Sequence, residues 1–178
     1  MIIELHDDLD ALLSTITNPL DECAQGINKI FELMIENKHI VVASRKLLRS
    51  ISSYAFINPA NKSIIAQIIQ HYVDVYSSLP DTNKRLRVVP APKYFVPDDE
   101  NEYILLKDCY TLSEAILSTE NPNDFTFYCN LFKFMNKNNA ITINFSNNSF
   151  GGGSAEQFLK TMITDNNIIL TICDSDKD

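Results

Sequence analysis

Apolar positions recur along this chain with two periods, and the order of the resulting elements changes beyond a proline-rich stretch at residues 90–102. In INKIFELMIEN (27–37), Ile27, Ile30, Phe31 and Met34 recur at helical spacing. HIVVAS (39–44) is a short β-branched run and reads as a buried strand, and RKLLRSIS continues as a helix. From Ser63, SIIAQIIQHYVDVYSSL repeats apolar residues over several helical turns until Pro80 stops it. LRVVP (86–90) is a further short strand. The opening IIELHDDLD sets Asp7, Asp8 and Asp10 beside a candidate strand, where they suit solvent-facing charges at a helix start. A metal site there is the lesser alternative. Residues 1–89 are thus expected to form a helix-rich lobe with two or three strands.

The stretch PAPKYFVPDDENE breaks this pattern. Three prolines remove backbone donors and four acids follow, so residues 90–110 are expected to be a linker or crossing loop. Beyond it the order becomes strand, helix, strand, helix, strand. EAILSTE (114–120) is the first strand, and NDFTFYCNLFKFMNKNN follows as a helix with Phe127, Leu131 and Phe134 on one face, ending near Asn138 or Asn139. AITINFS (140–146) alternates as a strand. The loop NNSFGGG leads to a helix over SAEQFLKTMITDNN with Ser154 as N-cap, and IILTICD (168–174) closes the series. Short apolar strands separated by helices predict a parallel Rossmann-like sheet with right-handed crossovers. The fold class expected is α/β, with a helix-rich mixed α/β lobe ahead of this sheet. TLSEAILSTENP also admits a helix, because Thr111 and Glu114 form a capping-box pattern and Pro122 would end it.

Composition narrows the chemistry. With 178 residues and 45% hydrophobic content, the chain is long enough for one sizeable core or two small ones. No apolar run approaches the roughly 18 residues of a membrane span, and MIIELHDDLD lacks a basic n-region, so no membrane partner and a cytoplasmic location are expected. Cys23, Cys109, Cys129 and Cys173 are far apart and form no CxxC pair, so buried, reduced thiols are expected. With His6, His39 and His71 besides, there is no zinc signature, and the metal-ligand chemistry on offer is oxygen-based. A net charge of −8 argues against an independent nucleic-acid-gripping module. It does not argue against a nuclease, because carboxylates loaded with Mg²⁺ attract phosphate. Two local basic groups, Arg45-Lys46-Arg49 and Lys84-Arg85-Arg87, read first as solvated faces.

In a parallel sheet, sites form where the chain leaves the carboxyl ends of strands. Both acidic clusters of the second half lie there: Glu120 to Asp124 after the first strand, and Asp174, Asp176 and Asp178 after the third. Alternate residues on an extended chain point the same way, so Asp174 and Asp176 can face one ion, and carboxylates without His or Cys suit Mg²⁺ or Mn²⁺. A Glu closing a strand, an Asp four residues on and a DxD after a later strand together resemble the Toprim domain. AILSTENPNDFTFY is similar to that family's opening strand, Glu turn and helix, and IILTICDSDKD to its DxD strand. Asn121 stands where many members carry glycine. The resemblance covers about residues 112–178 and implies only part of the family domain, which normally continues with another helix and strand. It implies Glu120 as general acid or base and, with Asp174 and Asp176, a member of one Mg²⁺ site, with Asp178 a further candidate ligand and Asp124 bracing the helix start. Gly151, Gly152 and Gly153 permit close backbone approach of a phosphate to a helix N-terminus, and equally a flexible turn.

The function expected from this resemblance is metal-dependent hydrolysis of phosphodiesters in DNA or RNA, closest to the OLD-like Toprim nucleases of bacterial anti-phage defence. The alternative is a non-catalytic interaction or regulatory module of a larger Toprim protein, docking a protein partner or a second copy through the N-terminal lobe. A third reading leaves the acids as plain loop charges in a two-lobed α/β protein.

Overall fold

A computed structural model describes residues 1–73, 85–96, 101–135, 145–149, 160 and 169–172. The chain divides into two compact units, 1–112 and 113–178.

In the first unit, β1 (Ile2–Leu5), β2 (Ile40–Val42), β3 (Leu86–Val89) and β4 (Glu102–Leu105) form one sheet in the order β2-β1-β3-β4. Every neighbouring pair is parallel. Parallel neighbours need long crossovers, and helices supply them. Between β1 and β2 run α1 (Leu9–Leu13) and α2 (Glu22–Ile35), and between β2 and β3 run α3 (Arg45–Ser53) and α4 (Pro59–Gln70). Short 3-10 turns occupy Pro92–Tyr94 and Leu106–Thr111. The core is aliphatic but for Phe31: Ile3, Leu9, Leu13, Ile27, Ile30, Leu47, Leu48, Ile51 and Ile65 are buried with it.

Local chemistry explains several of the helix boundaries. Asp21 caps α2 by accepting from the Cys23 N–H at 2.8 Å, so α2 begins five residues before the expected Ile27. Its far end is a Schellman closure. Asn37 takes a left-handed φ of 57°, and the Lys38 and Asn37 amides donate to the Leu33 and Met34 carbonyls. Ser44 caps α3 through the Leu47 amide. Asn58 caps α4 with Pro59 in its first turn, ahead of the expected start at Ser63. Asn28 joins α2 to this region: its amide donates to the Phe56 carbonyl and its Oδ1 accepts from the Asn58 amide and the buried Asn61 side chain.

The expectation of a linker over 90–110 needs correction. β4 and the Leu106–Thr111 turn lie inside that span and belong to the first unit. The turn packs on α2 where Gly26 leaves room for the Leu106 carbonyl. Among the described residues, 1–89 hold four helices and three strands, as expected, and β4 extends those strands into a four-stranded parallel sheet.

In the second unit, β5 (Ile116–Thr119), β6 (Ser146–Ser149) and β7 (Ile169–Ile172) form a parallel sheet in the order β6-β5-β7. A parallel α/β arrangement is therefore present in both units. Residues 116–119 are strand, so the alternative helix over TLSEAILSTENP is not formed. α5 (Pro122–Met135) follows β5. β6 begins at Ser146, the last residue of the expected strand 140–146, and runs on into the expected loop, while residues 140–144 of that strand fall outside the described residues. Ser and Asn score poorly as strand formers, but here backbone pairing to β5 decides. Of the expected helix over 154–167, Lys160 is described and is helical. Half-buried Phe125, Tyr128, Cys129 and Phe132 line one side of α5, with the Phe132 ring 5.7 Å from that of Phe145. Phe127, Leu131 and Phe134 do share a face, and that face is exposed.

Candidate functional site

β5 is the central strand of the second unit, and Glu120 is the first residue beyond its carboxyl end. The turn that follows is tightly specified. Thr119 Oγ1, fully buried, donates to the Asn121 carbonyl at 2.9 Å. Asn121 Oδ1 accepts from the Asn123 and Asp124 amides at 2.9 and 3.1 Å, which satisfies two orphan donors of the first turn of α5. Pro122 opens the helix with the φ it needs. The Asn121 side-chain amide donates to Asp124 Oδ2 at 2.5 Å. Asp124 thus braces the helix start, and Asn121 does by side-chain capping what a glycine would do by backbone freedom.

The strand register bears on the rest of the expected site. β5 and β7 are direct parallel neighbours, with Thr119 opposite Ile172. The carboxyl ends of β5 and β7 therefore lie at the same edge of the sheet. Asp174, Asp176 and Asp178, and the glycines Gly151, Gly152 and Gly153, lie outside the described residues. Among the described residues no group of three His, Cys, Asp or Glu is placed to hold a metal ion. The donor type at the strand end nevertheless suits a hard cation: Glu120 and Asp124 are carboxylates, and no His or Cys stands in β5 or its turn. One more polar group lies there. Ser118, on the central strand, is fully buried and its Oγ has no hydrogen-bond partner.

The first unit carries a second strand-end cluster. In the order β2-β1-β3-β4, the chain leaves β1 on one side and returns on the other, so the carboxyl ends of β1 and β3 mark a topological switch. Asp7 and Asp8 follow β1, and Asp10 lies in the first turn of α1. Each accepts a hydroxyl from elsewhere: Asp7 from Ser44 at 2.5 Å, Asp8 from Tyr94 at 2.6 Å, Asp10 from Tyr54 at 2.7 Å. The His6 ring lies 4.8 Å from Tyr94, and its Nδ1 accepts from the Asp8 amide. An open cavity of about 420 Å³ lies between α1 and α3, lined by the three aspartates, Lys46, Ser50 and Tyr54 among others. Burial, then the hydrogen bond to Asp10 and its charge, push the Tyr54 phenol up to about 12. Sequence reasoning missed Tyr54, Tyr94 and Ser44. Only the fold joins residues this far apart, and no motif marks them.

The remaining candidates are structural. Arg85 and Arg87 pair with Glu4 at 3.3 and 3.0 Å, and Arg87 also donates to the Tyr103 hydroxyl, so this basic group is largely consumed within the sheet. Lys84 lies outside the described residues. Arg45, Lys46 and Arg49 are exposed on α3, with Arg45 4.7 Å above the Tyr72 ring. Burial pushes the Cys23 thiol up to about 11 and Cys109 higher still, so neither is a ready nucleophile. No described helix is long and apolar enough to cross a membrane.

The fold and these strand ends define an α/β protein of two parallel-sheet units, each with carboxylates at the carboxyl edge of its central strand. No protein-family model, no curated protein and no solved structure matches the chain.

Proposed function

We propose that the second unit is a Toprim-type site that hydrolyses phosphodiesters of nucleic acid with Mg²⁺ or Mn²⁺, on Glu120, Asp174 and Asp176. The observation that carries this reading is the parallel pairing of β5 with β7. It sets the carboxyl ends of the two strands side by side at one edge of the sheet; Glu120 follows the first strand in the sequence and the DxD follows the second. Asp174 and Asp176, with Asp178 as a further ligand, would hold the cation, and Gly151, Gly152 and Gly153 would let a phosphate approach. The bound ion supplies charge neutralisation for the phosphoryl oxygens. Glu120 takes a proton from the attacking water as its oxygen bonds to phosphorus, and the P–O bond to the leaving nucleotide breaks, its oxygen regaining a proton. A role in anti-phage defence follows from the resemblance to OLD-like nucleases. The test is Mg²⁺-dependent cleavage of single- and double-stranded DNA and RNA by the full chain and by Glu120→Gln. Cleavage that falls at least a hundredfold in the variant supports the reading; equal cleavage by both proteins refutes it.

A second reading, an interaction module, is favoured by one observation. Phe127 and Phe134 are 62% and 69% exposed, so α5 presents an apolar stripe on its outer face as well as its inner one. Under this reading a protein partner docks there and the acids play no catalytic part.

A further inference from the structure

Charge is unevenly spread along this chain. From residue 37 to residue 73 there is no Asp or Glu, while Lys38, Arg45, Lys46, Arg49 and Lys62 fall inside that stretch. Its formal charge is therefore +5. The other residues hold 10 Lys and Arg against 23 Asp and Glu, a charge of −13, and the two parts give the −8 of the whole. The acid-free stretch folds as β2, α3 and α4.

Three of the five cations stand together on α3. Leu47, Leu48 and Ile51 turn one side of this helix into the core, and Arg45, Lys46 and Arg49 are exposed on the other. Arg45 and Arg49 are one turn apart and so neighbours on the helix surface. A solvated helix face needs no further explanation, but this one is placed against the helix's own electrostatics. Arg45 and Lys46 lie in the first turn, directly after the Ser44 cap, where the macrodipole disfavours cations, and no acid in that turn offsets them. Among the described residues none of the three forms an ion pair, whereas Glu4 holds Arg85 and Arg87 and Glu36 holds Lys38. Asp7, Asp8 and Asp10 share a cavity with Lys46 but pair with hydroxyls instead. The Tyr72 ring, 4.7 Å from the Arg45 guanidinium, orders that group without neutralising it.

We propose that this side of α3 is the surface on which the first unit holds the phosphodiester backbone of a nucleic acid. Charge complementarity selects a polyanion, and two guanidiniums favour phosphate, whose oxygens take paired N–H donors. The inference rests on the Toprim reading for the choice of nucleic acid among polyanions. It also reconciles that reading with the acidic net charge. Positive charge is gathered into one stretch, and the rest of the chain, strongly acidic, repels phosphate.

The experiment measures binding of a labelled single-stranded DNA oligonucleotide by fluorescence anisotropy, in EDTA so that no strand is cut, over a range of salt concentrations. The full chain is compared with Arg49→Gln and with the triple variant Arg45→Gln, Lys46→Gln, Arg49→Gln. Lys107→Gln, which removes an exposed cation outside the acid-free stretch, is the control. Expected in the triple variant is a roughly tenfold loss of affinity at low salt. Its log–log salt dependence becomes shallower by about 2, as for three phosphate contacts on a single strand. Arg49→Gln loses about a third of that slope, and Lys107→Gln binds like the parent. Arg49→Gln removes no ion pair of the fold and carries the test even where the triple variant is destabilised. Parent-like affinity in the triple variant and in Arg49→Gln overturns the inference, as does an equal loss in Lys107→Gln or absence of binding by the parent. Equal displacement of the oligonucleotide by polyglutamate of the same total charge also overturns it, since the surface then takes any polyanion. The cleavage assay keeps the two readings apart. Undiminished cleavage by Glu120→Gln, beside binding that depends on α3, removes the Toprim reading and leaves this surface standing. Cleavage lost in Glu120→Gln, beside parent-like binding by the triple variant, does the reverse.

Discussion

Replacing Gly26 by alanine separates two accounts of α2 by sign. On an exposed helix the change would stabilise the protein by about 1 kcal/mol, because alanine is the better helix former. In this structure a Cβ at position 26 stands 2.2 Å from the Leu106 carbonyl oxygen and 3.3 Å from Cys109 Cβ. Relief requires the Leu106–Thr111 turn to move back by about 1 Å, since non-bonded heavy atoms settle near 3.5 Å. Overpacking of this kind costs about 1–3 kcal/mol, and here the obstacle is backbone that no rotamer change can clear. Because the obstacle is backbone, the upper part of that range, about 2–3 kcal/mol, applies; less the propensity gain of about 1 kcal/mol, a net destabilisation of about 1–2 kcal/mol is expected. Urea unfolding followed by far-UV circular dichroism measures it as a lower midpoint at unchanged slope for the first unit. Adding Cys109→Ala should rescue little, because the closest contact is with the Leu106 carbonyl. A midpoint equal to or above the parent's would refute the packing of residues 106–111 on α2, and with it the assignment of that segment to the first unit.

Further outcomes follow from the caps and hydrogen bonds. Asn121→Ala should lower the stability of the second unit by about 1 kcal/mol, whereas Asn121→Gly should cost only a few tenths, since glycine is tolerated at an N-cap; equal losses in thermal melts would contradict the capping role. Asn28→Ala removes bonds to Phe56, Asn58 and Asn61 and should cost about 2–4 kcal/mol in urea unfolding, with a loss under 1 kcal/mol counting against that network. Tyr54, held up to about 12 by burial and by Asp10, should ionise above the usual phenol range, and the hydrogen bond to Asp8 shifts Tyr94 in the same direction. The unfolded phenol loses its proton first, near 10, so the stability Tyr54 contributes is complete below pH 10 and is lost as pH rises toward 12. Tyrosinate absorbance should show a late-titrating group that Tyr54→Phe deletes; a titration unchanged by the substitution would disprove the Tyr54–Asp10 contact.

Period and punctuation along the chain determined much of the local structure. The helix cores around Ile27–Met34 and Arg45–Ser52 and the strands at 40–42, 86–89 and 116–119 were legible because each buries one apolar pattern set by its own backbone geometry. The brace formed by Asp124 was legible too, as a short-range contact across one helix turn. Tertiary structure alone decided the rest. Strand order and parallel pairing depend on which backbones meet, so SNNS became β6 against its propensity, and β4 emerged from a proline-rich stretch read as a linker. Gly26 has its place in α2 because the Leu106 carbonyl packs against it, a contact eighty residues away in the chain. The hydroxyl partners of Asp7, Asp8 and Asp10 lie 37, 86 and 44 residues away. Contacts of that separation leave no local periodicity, since they arise from the closing of a sheet, not from the propensities of the segments it joins.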